Sequence, residues 1–489
     1  MSGCSPKAAP AGATTGKTTI AIDPVTRVEG HLKAEVVVEN GKVVDARLSG
    51  GMYRGFETIL RGRDPRDASQ IVQRICGVCP TAHSTAACLA LDEAFGVKVP
   101  TNGRVTRNLI FGANYLQSHI LHFYHLSAQD FVQGPNTAPF VPRFAKSDLR
   151  LSSKVNAVAV DQYLEALEVR RIAHEMVAMF GGRMPHVQGQ VVGGATEIPT
   201  KEKLVEYAAR FKQVREFVEN KYLPVVYTVG AEYKDMFKVG GGFRNALCVG
   251  AFPMDDSGKN MLFKAGVYCD GKDMPFDPKL IKEYVKYSWF ADDTTGLHYT
   301  QGKTVPQADK AGAYSFVKAP RYNGKSVEVG PLARMWVNNI ELSEVGKKML
   351  KEKFGLNAKK FRDLGEGLAF SLMGRHVARA EETLFMVKAI EGWLKEVKPG
   401  EETFAKSEIP ANAEGTGFTE APRGSLLHYV KIKDKKIDNY QIVSASLWNC
   451  NPRDDAGVRG AVEEALIGIP VPDINNPVNV ARLIRTFDP

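Results

Sequence analysis

Two cysteines set three positions apart, Cys76 and Cys79, sit in the run Arg74-Ile75-Cys76-Gly77-Val78-Cys79-Pro80. Such a pair offers two soft thiolates to one side of a metal ion, and one pair seldom completes a site. Arg74 beside the pair, and the helix end on which the pair is expected, both favour thiolate over thiol. His83 follows four residues after Cys79. Three chemistries fit: half of a structural zinc site, a redox dithiol, or half of a catalytic transition-metal site. Zinc needs two further Cys or His at compatible spacing, and no second CxxC and no HxxxH is present. A thioredoxin-like dithiol calls for a βαβ setting that helical surroundings do not supply. Spacing alone leaves the three open.

The elements that must position this pair are mostly helical. Ala68 to Ile75 reads as a lead-in to the pair and Thr81 to Phe95 as the helix after it. Arg104 to Phe131, Val155 to Phe180 and Lys201 to Tyr222 are long apolar-periodic segments. Helix is expected again from Ser343 to Lys395, with Phe361 to Leu394 its longest stretch, and a last helix at Ala461 to Leu466 before a Pro-rich finish. Strand-like runs flank Asn40-Gly41, a strong hairpin signal. Val239 to Glu328, rich in Gly, Pro, Tyr and Phe, reads as an irregular β-containing insertion. Pro399 to Pro422 reads as loop, and Leu426 to Ser444 as two strands around Lys433-Asp434-Lys435. The expected fold is mainly α (α+β): a large helical-bundle core with an N-terminal β-hairpin and irregular β-containing insertions. His119, His122 and His125, at three-residue spacing, read as core histidines on one helix face, with no metal assigned.

The chain has 489 residues, enough for a sizeable core, with 44% hydrophobic and 24% charged residues, the balance of an ordinary globular protein. No linker, repeat or low-complexity tract is evident, so residues 1–17 read as a disordered lead-in and 18–489 as a single domain. The net charge of +9 is spread without a basic block, which argues against nucleic-acid binding. Seven cysteines in so long a chain do not form a disulfide framework. No apolar run approaches membrane-spanning length. Cys4 lacks the upstream apolar segment that lipid attachment uses.

The wider sequence resembles the large subunits of nickel–iron hydrogenases. The matching runs are Asp23-Pro24-Val25-Thr26-Arg27-Val28-Glu29-Gly30-His31, Met52-Tyr53-Arg54-Gly55-Phe56-Glu57, the CxxC run through His83, His122-Phe123-Tyr124-His125-Leu126, and Gly181-Gly182-Arg183-Met184-Pro185-His186. Val329-Gly330-Pro331-Leu332-Ala333-Arg334, Glu420-Ala421-Pro422-Arg423-Gly424, Trp448-Asn449-Cys450-Asn451-Pro452-Arg453-Asp454 and Phe487-Asp488-Pro489 complete them, in family order along essentially the whole chain. Asn451, where many relatives carry Ser, and Gln117-Ser118-His119, where many carry Asp before the His, fit the nickel–iron–selenium branch.

The resemblance implies reversible splitting of H2 into protons and electrons at a Ni-Fe centre whose iron carries CO and cyanide. It implies Cys76 as a terminal nickel ligand, Cys79 as a bridge to iron, Glu29 as a buried proton relay, and Arg423 leaning over the open coordination side. Pro422 and Asn451 would line the cofactor, and His83 would hydrogen-bond the Cys79 sulfur. Glu57 would bind a remote structural Mg or Fe ion. No four-cysteine spacing for an iron–sulfur cluster is present. An iron–sulfur small subunit is therefore expected to take the electrons, in a heterodimer covering the Cys76 and Glu29 side. Periplasmic location with co-export on that partner's signal is expected, and peripheral membrane association is compatible with it.

In the family the closing Asp-Pro is followed by Cys-x-x-Cys-x-x-His, and the selenium branch encodes the first of those cysteines as selenocysteine, with UGA. A UGA taken as stop would end a translation at Asp488-Pro489. The expectation is that the natural chain continues there with selenocysteine and that residues 1–489 alone are inactive. The rivals are an ordinary nickel–iron hydrogenase with a cut tail, a non-enzymatic truncated protein, and the quinone-binding scaffold subunit of respiratory complex I. Cys76 and Cys79 argue against the last.

Overall fold

A computed structural model describes residues 16–142 and 148–489. Cys4 and the lead-in up to residue 15 lie outside them. The structure is 45% helical and 19% strand, in several small sheets packed on helices, as the mainly α expectation has it.

Three antiparallel strands open the fold: β1 (Thr18–Ile22), β2 (Leu32–Glu39) and β3 (Lys42–Gly50). Burial alternates strictly along β2, the pattern of a strand with one face on a core. Asn40 and Gly41 turn the hairpin with φ of 50° and 70°, the left-handed pair that matches strand twist. The short helix Ala68–Ile71 and a 3₁₀ turn, Val72–Ile75, lead to the cysteine pair. Helix α1 (Pro80–Phe95) starts directly after it, with Cys79 at its N-cap and Pro80 in the first turn, where a missing N–H costs nothing.

The helical core follows. Helix α2 (Thr101–Leu121) is buried on nearly every side and runs into a π turn, His122–Ser127. It packs against α3 (Ser153–Gly181), which in turn packs on α4 (Lys201–Phe217). Ser152 and Thr200 cap these two helices by accepting from Val155 N and Lys203 N. The region 239–328 holds short strands, from Ala246–Cys248 to Ala319–Tyr322, and short 3₁₀ turns, as expected of an irregular insertion. Helix α5 (Pro331–Asn338) follows, and α6 (Leu372–Glu396) packs on α2. The helix expected over 343–395 is broken at Phe354 and again before Ser371, where Gly355 and Gly365 adopt positive φ.

Two expectations fail. The segment 399–422 is not all loop: Asn412–Ala421 forms β4, paired along its length with β5 (Gly424–Lys433), to which β6 (Lys436–Val443) adds. Gly415 and Gly417 hid this strand from propensity. They lie against the backbone of α1, where a Cβ at 417 would meet Ala86 O at 2.0 Å, so the glycines let strand and helix touch. After α7 (Ala445–Asn449) and α8 (Ala461–Leu466), the Pro-rich finish also contains a helix, α9 (Val478–Thr486), which Pro477 starts rather than prevents.

Most of these elements share one apolar core, and a smaller cluster around Leu247, Tyr299, Tyr322 and Trp448 joins the insertion to β5 and α7.

Candidate metal centre

Cys76 is extended at the end of the 3₁₀ turn and half-buried, and Cys79 is buried. Cys79 N donates to Cys76 Sγ at 3.2 Å, so the N-cap amide of α1 already favours a thiolate there. The two thiols share a hydrogen bond. That bond, helped by Arg423, draws the Cys76 thiol down to about 7, and it pushes Cys79 well up. Near neutral pH the pair therefore gives up its first proton readily and holds the second, which a metal would have to displace.

Arg423 comes from the bend between β4 and β5, where Ala421 pairs with Gly424. The bend is fixed from behind. Arg334 of α5, fully buried, forms a two-pronged pair with Glu382, donates to Glu420 Oε2 at 2.9 Å, and donates to Ala421 O and Pro422 O at 2.8 Å. Gly424 has φ 139° and leaves no room for a Cβ beside Val329 and Gly330. Thus clamped, Arg423 is 4% exposed, yet none of its three guanidinium nitrogens has a hydrogen-bond partner. Asp488 Oδ1 stands 3.1 Å from Arg423 Nη2, within ion-pair distance but not aligned to accept. Burial works against the charge of Arg423; Asp488, the two thiols and Glu29 more than offset it.

Glu29 corrects one expectation. It is exposed, on the turn-rich loop between β1 and β2, not a buried carboxylate. The loop is nonetheless held in place. Arg27 donates to Leu126 O at 2.7 Å and pairs with Asp130, and Glu29 N donates to Pro489 O at 3.0 Å. Glu29 bears electrostatically on both Cys76 and Arg423.

Three more of the expected site residues have partners within the fold. His83 does not hydrogen-bond the Cys79 sulfur; its Nδ1 lies 3.1 Å from His428 Nε2, and burial pushes it down to about 3. The Asn451 side chain is consumed internally, donating to Leu447 O and Trp448 O and accepting from Arg321 Nη1 at 2.8 Å, which leaves no donor for a cofactor. Glu57 accepts from Ile442 N at 2.9 Å and from the Thr304 hydroxyl, beside the buried Lys318–Glu283 pair. Among the described residues no group of three or more His, Cys, Asp or Glu has metal-site geometry there or elsewhere. Pro422 is buried at the bend, as expected. His119 and His122 are core histidines, the first 3.3 Å from Glu382 and the second 2.6 Å from Arg485 O.

Arg334, Glu382 and Asp488 went unassigned in the sequence. Arg334 and Asp488 stand inside runs already singled out, whereas Glu382 had no signal beyond a charge on an apolar helix.

The site fits a soft-metal centre carrying negative charge. Its donors are two thiols, and the buried Arg423 beside them has unspent hydrogen-bond donors. The sequence model described as "Nickel-dependent hydrogenase" matches residues 54–138 and 132–489, and one described as "HoxL-like" matches 19–49. The chain belongs to the nickel-dependent hydrogenase family. Within it, the chain aligns with the large subunits of the nickel–iron–selenium branch. It is 67% identical over 98% of its length to the "Periplasmic [NiFeSe] hydrogenase large subunit" of Desulfomicrobium baculatum, covering 94% of that protein. Identity to the "Hydrogenase-2 large chain" of Escherichia coli (strain K12) is 35%, with 96% and 95% of the two chains covered. The solved Ni-Fe-Se hydrogenase from D. vulgaris Hildenborough in the reduced state superposes with a TM-score of 0.96 at 83% identity, over 97% of this chain and 98% of that one. The protein is thus the catalytic subunit of a hydrogenase, an oxidoreductase with a Ni-Fe centre, and the complex I-like scaffold reading is not favoured.

Proposed function

We propose that Cys76 and Cys79 are two of the sulfur ligands that would hold the Ni-Fe centre, the two thiols standing side by side for that role. The centre, when bound, supplies the electron-rich, redox-active metal site at which H2 is polarised into two protons and two electrons. Everything else falls to the chain. Arg423 would turn a fixed, always-charged fork toward the bound centre, whose iron would carry CO and cyanide, and Pro422 would wall that pocket. The observation that carries this reading is the buried guanidinium with three unpartnered nitrogens beside the thiol pair. Glu29 takes the proton leaving the Cys76 side and passes it outward.

An iron–sulfur small subunit covers the face where Glu29 is exposed and Cys76 half-exposed, removing water from both and receiving the electrons. The pair is periplasmic, as the name of the D. baculatum relative has it for that protein, and is exported together; peripheral membrane attachment is compatible with this. Among the described residues no helix is long and apolar enough to cross a membrane. Glu57, beside Lys318 and Glu283, marks a remote structural Mg or Fe site. Residues 18–489 act as one unit.

Glu29→Gln in the purified holoenzyme tests the proton route. Nickel content should stay at the wild-type level while H2 uptake and H2/D⁺ exchange fall about 100-fold or more, the scale of a lost general acid–base. Wild-type exchange in this variant would remove Glu29 from the route.

A further inference from the structure

Between the two cysteines lies a peptide unit that is held at both ends. Its N–H is the amide of Cys79, which donates to Cys76 Sγ at 3.2 Å. Its C=O belongs to Val78 and accepts from Gln117 Nε2 at 2.8 Å. The Val78–Cys79 bond is trans. A planar trans unit turns its C=O and N–H in opposite directions, so a group that fixes the oxygen also fixes the line of the N–H.

Gln117 is fully buried on α2, and α3 holds it from the far side. Arg170 Nε donates to Gln117 Oε1 at 3.3 Å, and His174 Nε2 lies 3.1 Å from the same oxygen. Arg170 and His174 share one face of α3, a helical turn apart, and both are half-buried. Arg170 can only donate and the Val78 carbonyl can only accept, so the Gln117 amide has a single orientation. Its nitrogen also reaches Asn114 Oδ1 at 3.3 Å, one turn back on α2. Burial draws His174 down to about 4, so its ring is neutral near pH 7 and Nε2 carries the one proton. The bonds thus run head to tail, from a cation on α3 through Gln117 and the peptide to sulfur. Hydrogen bonds chained in one direction polarise one another, which strengthens the last of them.

We propose that Gln117 is a positioning residue for the thiol pair: aligned by Arg170 and His174, it acts through the Val78–Cys79 peptide to hold an N–H on the Cys76 sulfur. The consequence for the enzyme rests on the reading of Cys76 as a ligand of the Ni-Fe centre. An N–H on a metal-bound sulfur takes electron density from it and orients it.

Val78-Cys79 is the one Val-Cys pair in the sequence, so carbonyl-¹³C valine with ¹⁵N cysteine marks this peptide alone. NMR of the full chain without metal then reports the Val78 carbonyl and the Cys79 amide proton. In Gln117→Met, which keeps the length and removes the donor, both signals should move upfield as the two bonds weaken together. Arg170→Met reaches the same link from the half-buried face of α3 and should move both signals the same way by less. Arg170→Lys, which keeps a donor, should return them toward wild type. A Cys79 amide proton that stays in place in Gln117→Met would overturn the proposal, whether or not the Val78 carbonyl moves. An Arg170→Met spectrum identical to wild type would overturn it too. In the holoenzyme, the infrared CO band of Gln117→Met should move to lower wavenumber as density returns to the centre. A moved amide proton beside unmoved infrared bands would uphold the grip of Gln117 and count against Cys76 as a ligand.

Discussion

Arg423 and Glu463 show how burial sets the chemistry of single side chains here. Arg423 keeps its charge because Asp488 and the thiols surround it, whereas Glu463 has no cation strong enough to do the same for it. Glu463 Oε1 accepts from Leu48 N and the Tyr314 hydroxyl at 2.9 Å, and burial pushes its carboxyl up to about 7. Between its ordinary value and about 7, the unfolded chain has released this proton while the folded one still holds it. Its contribution to stability is therefore fully present below the ordinary carboxylate range, falls as pH rises toward 7, and is flat above. The change is on the order of 3 kcal/mol. Glu463→Gln should remove that slope, so the gap in Tm between wild type and variant should shift in the variant's favour from pH 5 to pH 7.5. A constant gap would show that Glu463 titrates normally. Cys88, Cys248 and Cys450 have thiols pushed up by burial and behave as small apolar residues.

The contact between α1 and β4 is the element on which the candidate site depends most. The helix delivers Cys79 at its N-cap, and the strand leads into Pro422 and Arg423, so their spacing sets the distance between thiol and cation. Gly415 and Gly417 fix that spacing by backbone contact with Ala86, Ala90 and Ala94. At Gly417→Ala the new Cβ would fall 2.0 Å from Ala86 O and 2.6 Å from Ala90 N, atoms that cannot rotate away. The expected cost is about 1–3 kcal/mol or more, read as a lower Tm, together with reduced nickel content because α1 must shift. Normal nickel loading and Tm would mean the contact is slack. This element was illegible in the sequence for the same reason that it works. Glycine lowers strand propensity, and only the partner helix explains its use. The β5–β6 hairpin was legible because its turn, Asp434-Lys435, takes positive φ at both residues between two β-rich runs.

At the scale of the molecule, residues far apart in sequence close around one point. Asp130, buried, pairs with Arg27 from the Glu29 loop and at 2.7 Å with Arg485 of α9. Arg482 and Asp148 extend the cluster, and Phe487 lies under Arg375 at 4.0 Å. Asp130 therefore ties the start of the described chain to its end, where Asp488 meets Arg423. Asp130→Ala strands the buried Arg485 and unpairs the half-buried Arg27, and should cost about 3–5 kcal/mol. It should also free the 23–31 loop, so limited proteolysis is expected to cut there first. Proteolysis unchanged from wild type would show the loop to be held by its other contacts.

The sequence by itself determined the donor types, the family and the helical character, because thiol spacing, motif order and apolar periodicity are local properties of the chain. It also singled out Cys76, Cys79, Pro422 and Arg423, which the fold brings together. Only the tertiary structure decided that Glu29 is exposed, that Asn451 is spent on Arg321, and that His83 faces His428. It alone brought Arg334 and Glu382 behind the bend. Burial and hydrogen-bond partnership are set by elements hundreds of residues away, and no local pattern carries them.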